Sequence, residues 1–185
     1  MRGLPDEGRD SIVRAAEKCD LADVRAIYAD EVLHGSASFE LEPPTLEEIT
    51  ARWASVLSFQ LPYLVAIKDD RIAGYAYVLP YRPRPAYRYT LEHSVYVAPA
   101  YQRAGLGSLL LQRILSDCQS WGARQMIGII GDSANRASIQ LHLRAGFEQI
   151  GILKDVGWKF GRWLDSVIMQ KALGDDRSPL QESIR

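Results

Sequence analysis

The sequence predicts one α+β domain, in which a central mixed, mostly antiparallel sheet is flanked by about four helices. Near its start the chain has two segments with apolar residues at helical spacing, and its middle has the patterns of strands. The last part is predicted to form strand, helix, strand, helix and strand in that order. The length of 185 residues suits a single core. We expect the domain to span residues 11–173, between flexible tails at residues 1–10 and 174–185.

The first part of the chain is predicted to form a short strand and two helices. Residues 12–14 are the strand, and Asp20 is a candidate N-cap for the first helix. Apolar residues at helical spacing mark the buried face of that helix: Leu21, Val24, Ile27 and Val32. Thr45 and Glu48 have the spacing of a capping box, which predicts the start of the second helix.

The middle of the chain has the pattern of a β-sheet. Residues 63–67 and 72–79 are two apolar segments joined by a polar turn, so they predict a hairpin. Residues 80–85 interrupt the pattern with prolines and arginines and predict a loop. Residues 89–97 are the next predicted strand, which ends before Pro99.

The last part of the chain alternates between helices and strands. A long helix is expected to end at Gly122, and its inward positions are Leu106, Leu109, Leu110, Ile114 and Cys118. Residues 126–130 are apolar throughout and predict a strand that is buried on both faces. Residues 135–145 predict the last helix, with Gly146 at its end, and residues 147–153 and 166–169 supply the closing strands.

The charge balance favours neither a nucleic acid nor a membrane as partner. Lys plus Arg number 22 against 23 Asp plus Glu, so any anionic ligand must be held by a local arrangement. Cys19 and Cys118 lie outside any metal-ligand motif, so we expect buried apolar cysteines and no metal site. Residues 1–10 lack the apolar segment of a signal peptide and no apolar run is long enough for a membrane span, which predicts a cytoplasmic protein.

Residues 94–107 have the pattern of a phosphate-binding turn. A strand leads through a turn into a helix whose start carries Gly105 and Gly107. Glycines let the backbone approach a ligand, and the first helical turn offers free N–H groups and the positive end of the helix dipole. Leu110 replaces the third glycine of the dinucleotide-binding fingerprint, and the Gly-Lys-Ser/Thr of a Walker loop is missing. An ordinary strand-to-helix turn is the alternative.

The pattern that does fit is Gln102-Arg103-Ala104-Gly105-Leu106-Gly107, which resembles the Q/R-x-x-G-x-G/A loop of the GNAT superfamily of N-acetyltransferases. The resemblance extends over nearly all of residues 11–173 and implies acetyl-CoA as co-substrate. It assigns cofactor binding to the strand end, the loop and the helix start: Val95, Tyr96, Val97, Gln102, Arg103, Ala104, Gly105, Leu106, Gly107 and Ser108. Asn135 resembles the second cofactor element of the superfamily. An N-cap role is its alternative, and both roles are compatible.

Four further segments resemble the phosphinothricin N-acetyltransferase group. They are residues 37–39, 81–88, 90–97 and 161–165. This resemblance implies a small amino-acid-like acceptor, such as phosphinothricin, methionine sulfoximine or methionine sulfone, and a homodimer. Another small amine, a peptide N-terminus and a non-catalytic acyl-CoA sensor are the alternatives. Trp158 and Trp163 are expected to pack the last hairpin or a dimer interface.

The resemblance also implies roles in the chemistry. Glu92 matches the acidic position of the family and is the candidate general base, with a structural ion pair as the alternative. His142 lies where many GNAT enzymes carry a tyrosine acid and is the candidate proton donor to the thiolate, with packing as the alternative. His93 is expected on the opposite strand face from Glu92, in a structural role. A backbone N–H of residues 95–97 is the candidate oxyanion donor.

Arg82 and Arg84 are the candidate anchors for the acceptor. Guanidinium groups bind carboxylate or phosphinate oxygens through two parallel hydrogen bonds, and the prolines of the loop stiffen it. A solvated basic loop or a subunit interface is the alternative. Phe39, with Glu31, is a candidate for the wall of the same cleft, and ordinary packing is the alternative for both.

Overall fold

The computed structural model describes residues 11–174, which form one mixed sheet with helices on both of its faces. The expected tails, at residues 1–10 and 174–185, lie outside this range apart from Gly174. Within the range, no helix is both long and apolar enough to cross a membrane. The same residues contain no group of three or more His, Cys, Asp and Glu side chains that could hold a metal ion.

Seven strands form the sheet in the order β1-β2-β3-β4-β5-β7-β6. Their bounds are β1 Ile12–Ala15, β2 Tyr63–Lys68, β3 Arg71–Pro80, β4 Thr90–Val97, β5 Gln125–Gly131, β6 Glu148–Lys159 and β7 Arg162–Ala172. The pair β4–β5 is parallel and the other neighbouring pairs are antiparallel, which confirms the predicted mixed sheet. Both closing strands are longer than predicted, and their pairing has irregularities between Gln149 and Gly151 and between Leu153 and Gly157.

Four α-helices accompany the sheet in the described part of the chain: α1 Leu21–His34, α2 Leu46–Ser58, α3 Leu106–Trp121 and α4 Arg136–Arg144. The capping box of α2 is confirmed, because the Glu48 N–H donates to Thr45 Oγ1 and the Thr45 N–H donates to Glu48 Oε2. Asp20 occupies the N-cap position of α1 as predicted, but its side chain makes no capping hydrogen bond to the helix. Its carboxylate instead forms an ion pair with Arg14 and accepts the N–H of Glu17.

Helices α1 and α3 lie on opposite faces of the sheet. Tyr28 of α1 packs edge-on against Tyr96, at 5.2 Å between ring centroids, and Tyr96 stacks on Tyr75 of β3. On the other face, a Cβ added at Gly74 would lie 3.2 Å from Leu110 of α3. Because Gly74 and Tyr75 are consecutive strand residues, they face opposite sides of the sheet.

Three predictions about burial are wrong. Leu109 of α3 is 41% exposed, whereas Leu111 is fully buried, because the sheet contacts the other flank of the helix. Ile129 of β5, predicted to be buried, is 40% exposed because it lies beyond the last residue of β5 that pairs with β4. Cys19 is exposed, whereas Cys118 is buried as predicted.

The parallel pair β4–β5 separates partway along its length. Pairing runs from Thr90 with Gln125 to His93 with Gly128 and then stops. Strand β4 continues to pair with β3 as far as Val97, so its β5 side has no strand partner past His93 among residues 11–174. We call the gap between β4 and β5 beyond His93 and Gly128 the fork.

Candidate functional site

Residues 101–108, which comprise the end of the turn after β4 and the first residues of α3, form an open cradle at the start of the helix. Arg103 and Gly105 have left-handed backbones, with φ of 63° and 82°. No side chain in the described range caps the helix at Gly105, and a Cβ there would have no atom within 4 Å. The first N–H groups of α3 therefore face open space with the positive end of the dipole, as in an anion-binding site.

A cavity of about 760 Å³ extends from the cradle to α4. Eight of the predicted cofactor residues line it: Val97, Gln102, Arg103, Gly105, Leu106, Gly107, Ser108 and Asn135. Ala104 lies in the turn but not in the lining. Asn135 also caps α4, since its side-chain oxygen accepts the N–H of Ser138 at 3.1 Å, so the structure places it in both of the positions considered.

One polar face of this cavity is formed by residues that were not among the predicted site residues. Arg136, Gln140 and Arg144 of α4 line it opposite the cradle. Their spacing of four and eight residues puts them on one side of the helix, which is a signal that the sequence does contain. Together with Arg103 they give the cavity a cationic lining that suits phosphate groups.

A second, smaller cavity of about 40 Å³ lies in the fork. Its lining includes the other two predicted cofactor residues and both histidines of the site: Val95, Tyr96, His93 and His142. The two cavities follow each other along the same elements, since Val97 adjoins Tyr96 and Leu141 adjoins His142. An elongated ligand can therefore run from the cradle along β4 and end in the fork.

Glu92 lies on β4 beside the closed end of the fork. It pairs with Leu79 of β3 and Ile127 of β5, and it faces away from His93 as predicted. Burial raises the pKa of its carboxyl group, and the positive charge of Arg82 opposes that rise. A carboxylate with a raised pKa is a better proton acceptor at neutral pH than an ordinary glutamate.

The arginine-proline loop borders a third cavity, of about 580 Å³, whose lining includes Arg82 and Arg84. The Arg82 guanidinium lies over the ring of Tyr81, 4.4 Å from its centroid, and it acts electrostatically on Glu92. Phe59 and Leu79 give the same cavity an apolar side. The structure thus joins Arg82 to Glu92, while Arg84 shares only the cavity with Arg82.

Neither Phe39 nor Glu31 is among the residues that line the cavity of the arginine loop. The Phe39 ring fills the space over Gly131 and Gly157, and a Cβ at Gly157 would overlap it. Glu31 accepts the N–H of Ala37 at 2.7 Å and lines the cradle cavity, and burial raises its pKa. These contacts favour the packing alternative for both residues.

A buried lysine that the sequence analysis missed holds the loop after α1. Lys159, at the end of β6, is 4% exposed and donates to the carbonyls of Gly35 and Ser38 at 2.9 and 2.7 Å. These bonds cross 124 and 121 residues of sequence. Because every residue has a backbone carbonyl, the sequence does not indicate that Gly35 and Ser38 accept hydrogen bonds from Lys159.

The segment that follows β6 fixes the loop before α4. Arg162 donates to Asp132 at 2.5 Å, and Ser133 donates to Asp165 at 2.6 Å. Asp132 has a left-handed backbone, and its carboxylate also accepts the N–H of Ala134. These contacts hold the start of α4, and with it Asn135, beside the cradle.

His142 is buried in α4 and touches His93. Its Nδ1 lies 2.7 Å from the Ser138 carbonyl oxygen, and its Nε2 lies 3.1 Å from Nε2 of His93. Burial lowers the pKa of both imidazoles, that of His93 to about 3. Both rings are therefore neutral at neutral pH, and neutral His142 has no N–H free for a thiolate.

Comparisons with known proteins agree on one family. The profile of the acetyltransferase (GNAT) family matches residues 23–147. The chain is 49% identical to the phosphinothricin N-acetyltransferase of Alcaligenes faecalis over 170 residues, which cover 92% of this chain and 86% of that protein. It is 37% identical to the L-methionine sulfoximine/L-methionine sulfone acetyltransferase of Salmonella typhimurium over 167 residues, covering 90% and 97%.

The fold gives the same result. A crystal structure of a GNAT superfamily phosphinothricin acetyltransferase from Sinorhizobium meliloti, in complex with acetyl-CoA, superimposes with a TM-score of 0.89 at 37% identity. The match covers 93% of this chain and 94% of that one.

Proposed function

The chain belongs to the acetyltransferase (GNAT) family, and from that premise we propose that it transfers acetyl from acetyl-CoA to the amino group of a small amino-acid-like acceptor. The acceptor is of the phosphinothricin, methionine sulfoximine or methionine sulfone type, as in the relatives. The observation that carries the proposal is the pair of neighbouring cavities, one at the cradle and one in the fork, with Glu92 on β4 beside the closed end of the fork.

The residues on this path fit acetyl-CoA. The uncapped start of α3, with Gly105 and Gly107, receives the diphosphate, and Arg103, Arg136 and Arg144 supply positive charge around it. The narrow cavity in the fork suits the thin thioester end. When bound, acetyl-CoA supplies the acetyl group as a thioester.

Glu92 is the general base. The acceptor arrives as an ammonium ion, and Glu92 takes one of its protons through a water, so that the nitrogen has a lone pair to attack the thioester carbonyl. A C–N bond forms and the C–S bond breaks. The nitrogen then gives up one further proton and the departing thiolate takes one up, so the transfer itself is balanced.

A backbone N–H of residues 95–97 donates to the oxyanion. This part of β4 pairs with β3, but its side toward β5 has no strand partner within the described residues, so the backbone on that side is accessible to the thioester. His142 lies beside the same cavity. It can serve as acid to the thiolate only as an imidazolium, because its single proton in the neutral form is bonded to Ser138.

Arg82 and Arg84 hold the anionic end of the acceptor. Both are exposed on a loop that contains three prolines between residues 80 and 85, and both line the cavity next to Glu92. A carboxylate or phosphinate bound there lies within the field that already acts on Glu92. The apolar side of the cavity accommodates the alkyl part of such a substrate.

The protein acts as a homodimer in this proposal, and the hairpin β6–β7 supplies the contact surface. Large apolar side chains of the hairpin are exposed: Ile150, Leu153, Val156, Trp158, Phe160 and Trp163. Trp158 and Trp163 pack against each other with ring centroids 5.1 Å apart, and both remain more than half exposed. An apolar patch on an edge strand is typical of a protein interface. A cytoplasmic location stays a prediction.

Release of free thiol from acetyl-CoA tests the proposal. We expect release with L-phosphinothricin, L-methionine sulfoximine and L-methionine sulfone, and little with ordinary amino acids. Calorimetry with CoA alone measures cofactor binding separately. CoA binding without release on any of these acceptors would overturn the substrate assignment and favour another amine, a peptide N-terminus or an acyl-CoA sensor.

A further inference from the structure

Two histidines meet at the closed end of the fork. His93 is the last residue of β4 that pairs with β5, and its partner there is Gly128. The His93 and His142 rings lie 28° from parallel with centroids 5.0 Å apart. A Cβ at Gly128 would lie 3.0 Å from Nε2 of His142 and 3.1 Å from Nε2 of His93. The absence of a side chain at Gly128 therefore leaves the room that the pair occupies.

The hydrogen bonds determine which nitrogen carries each proton. A carbonyl oxygen only accepts, so the bond to Ser138 places the proton of neutral His142 on Nδ1. Nε2 of His142 is then an acceptor, and the bond between the rings requires His93 to donate from its own Nε2.

The fourth ring nitrogen, Nδ1 of His93, is consistent with these tautomers. When His93 carries its proton on Nε2, Nδ1 is unprotonated and has a free lone pair. That atom is buried and has no hydrogen-bond partner in the described part of the chain. An acceptor is more easily tolerated there than an orphaned N–H, since buried N–H groups without an acceptor are rare.

The surroundings of the pair keep it neutral. Its neighbours are Ser138 on α4, Gly128 on β5 and Phe147 before β6, and none of these side chains titrates. Burial is the main cause that lowers the pKa of both rings, and a charge on His142 would lower that of His93 further. A carboxylate that could stabilise an imidazolium is not among the causes for either ring.

We propose that His93 is a positioning residue for acetyl transfer, which donates from Nε2 to His142 and holds it in the Nδ1–H tautomer beside the fork. The inference rests on the proposed function, because acetyl transfer is what places a reacting thioester next to the ring. The distance of 3.1 Å, the Ser138 bond and the unpartnered Nδ1 of His93 carry it.

The arrangement also determines where the pair takes up a proton. Among the four ring nitrogens of His93 and His142, Nδ1 of His93 is the one that can accept a proton without breaking a hydrogen bond to a described residue. The Nε2 proton can then pass to His142, which leaves His93 neutral with its proton on Nδ1 and His142 as imidazolium. His142 then carries its second proton on Nε2, within the bond to His93, so it gives that proton to the thiolate only when the bond between the rings opens.

The tautomers can be observed directly in the unmodified protein. Long-range ¹H–¹⁵N correlation spectra of protein labelled with ¹⁵N-histidine distinguish protonated from unprotonated ring nitrogens. The chain has three histidines, and H34Q, at an exposed side chain, assigns the third signal. We expect His142 protonated on Nδ1 and His93 on Nε2. The opposite order for either ring would overturn the proposal, whatever the enzyme acetylates.

Two substitutions at His93 separate donation from packing. H93L keeps apolar bulk but removes the donor, whereas H93Q keeps an N–H. We expect H93L to lower kcat about tenfold, the lower end of what loss of a histidine-orienting partner costs at metal sites, with the KM for acetyl-CoA nearly unchanged. We also expect the pKa of His142 to rise in H93L, because its neutral form loses a hydrogen bond.

H93Q should restore both properties in part. Equal loss of kcat in H93L and H93Q, with the His142 tautomer unchanged in both, would reduce His93 to a packing role and overturn the proposal. Should the parent protein release no thiol with any acceptor, the proposed function fails instead, while the spectra still decide the tautomers.

Discussion

The Arg82 guanidinium acts on the carboxyl group of Glu92 from the neighbouring loop and opposes the rise in pKa that burial causes. The arginine belongs to the proposed acceptor site and the glutamate to the proposed base, so binding and chemistry are electrostatically linked. Arg84, two residues along the same loop, makes no such contribution to Glu92. The two arginines therefore offer a matched pair of substitutions.

Replacing Glu92 by Gln should lower kcat by about 10²–10⁴-fold, because the amide cannot accept the proton of the acceptor ammonium. CoA affinity should stay close to that of the parent, since Glu92 is not among the residues that line the cradle cavity. Thiol release and calorimetry measure the two quantities. E42Q, at an exposed loop residue, is the control. Unchanged turnover in E92Q would remove Glu92 from the mechanism.

The pH profile of R82Q should differ from that of R84Q. Glu92 is active as carboxylate, so turnover falls as the pH drops through its pKa. Arg82 lowers that pKa, so its removal should move the acid limb of kcat to higher pH. R84Q should raise the KM for the acceptor while leaving the limb in place. A limb that moves equally in both variants would contradict the specific electrostatic effect of Arg82 on Glu92.

Alanine at Gly105 and at Gly107 should have opposite effects on the free protein. Gly105 has φ of 82°, so G105A should destabilise the fold by about 1 kcal/mol. Gly107 lies within α3, and a Cβ there would meet Leu141 at an ordinary 3.4 Å, so G107A should stabilise the helix by about 0.5–1 kcal/mol.

Both alanines should nevertheless weaken acetyl-CoA binding, because both add a methyl group to the cradle. Urea unfolding and calorimetry separate the effects on stability and binding. Undiminished CoA affinity in both variants would argue against the cradle as the diphosphate site.

Replacing Lys159 by Met should lower the free energy of unfolding by about 1–3 kcal/mol, because the carbonyls of Gly35 and Ser38 lose their donor while the apolar stem is kept. K154M is the control, since Lys154 is 72% exposed and should cost less than about 0.5 kcal/mol. Denaturant titration compares the two. Equal, small losses would show that the buried ammonium contributes nothing to the fold.

W158E should convert the proposed dimer into a monomer, because a carboxylate would be buried in the apolar contact between two hairpins. Light scattering after gel filtration measures the mass. I12E places the same charge at a side chain that is 58% exposed on β1, at the opposite edge of the sheet, and should leave the mass unchanged. A parent protein that already elutes as a monomer would contradict the homodimer.

Local patterns predicted much of this fold. The capping box at Thr45 and the glycine-bearing turn at Gly105 depend on residues within a few positions of each other. The local sequence therefore specifies them without any tertiary contact. Asp20 shows the limit of such reasoning, because its carboxylate accepts from Arg14 and not from the N–H groups at the start of α1.

The sequence by itself determined the order of elements and the cradle, since short-range periodicity and turn chemistry encode them. The candidate roles of Glu92 and Asn135 came from the family resemblance of the sequence, and that of Arg82 from the chemistry of its guanidinium group. Only the tertiary structure decided that His93 donates to His142, 49 residues away, and that Lys159 binds the loop after α1. The reason is physical. Such contacts depend on which faces of the sheet and helices pack together and on the burial that removes water from them. The spacing of residues along the chain predicts neither the packing nor the burial.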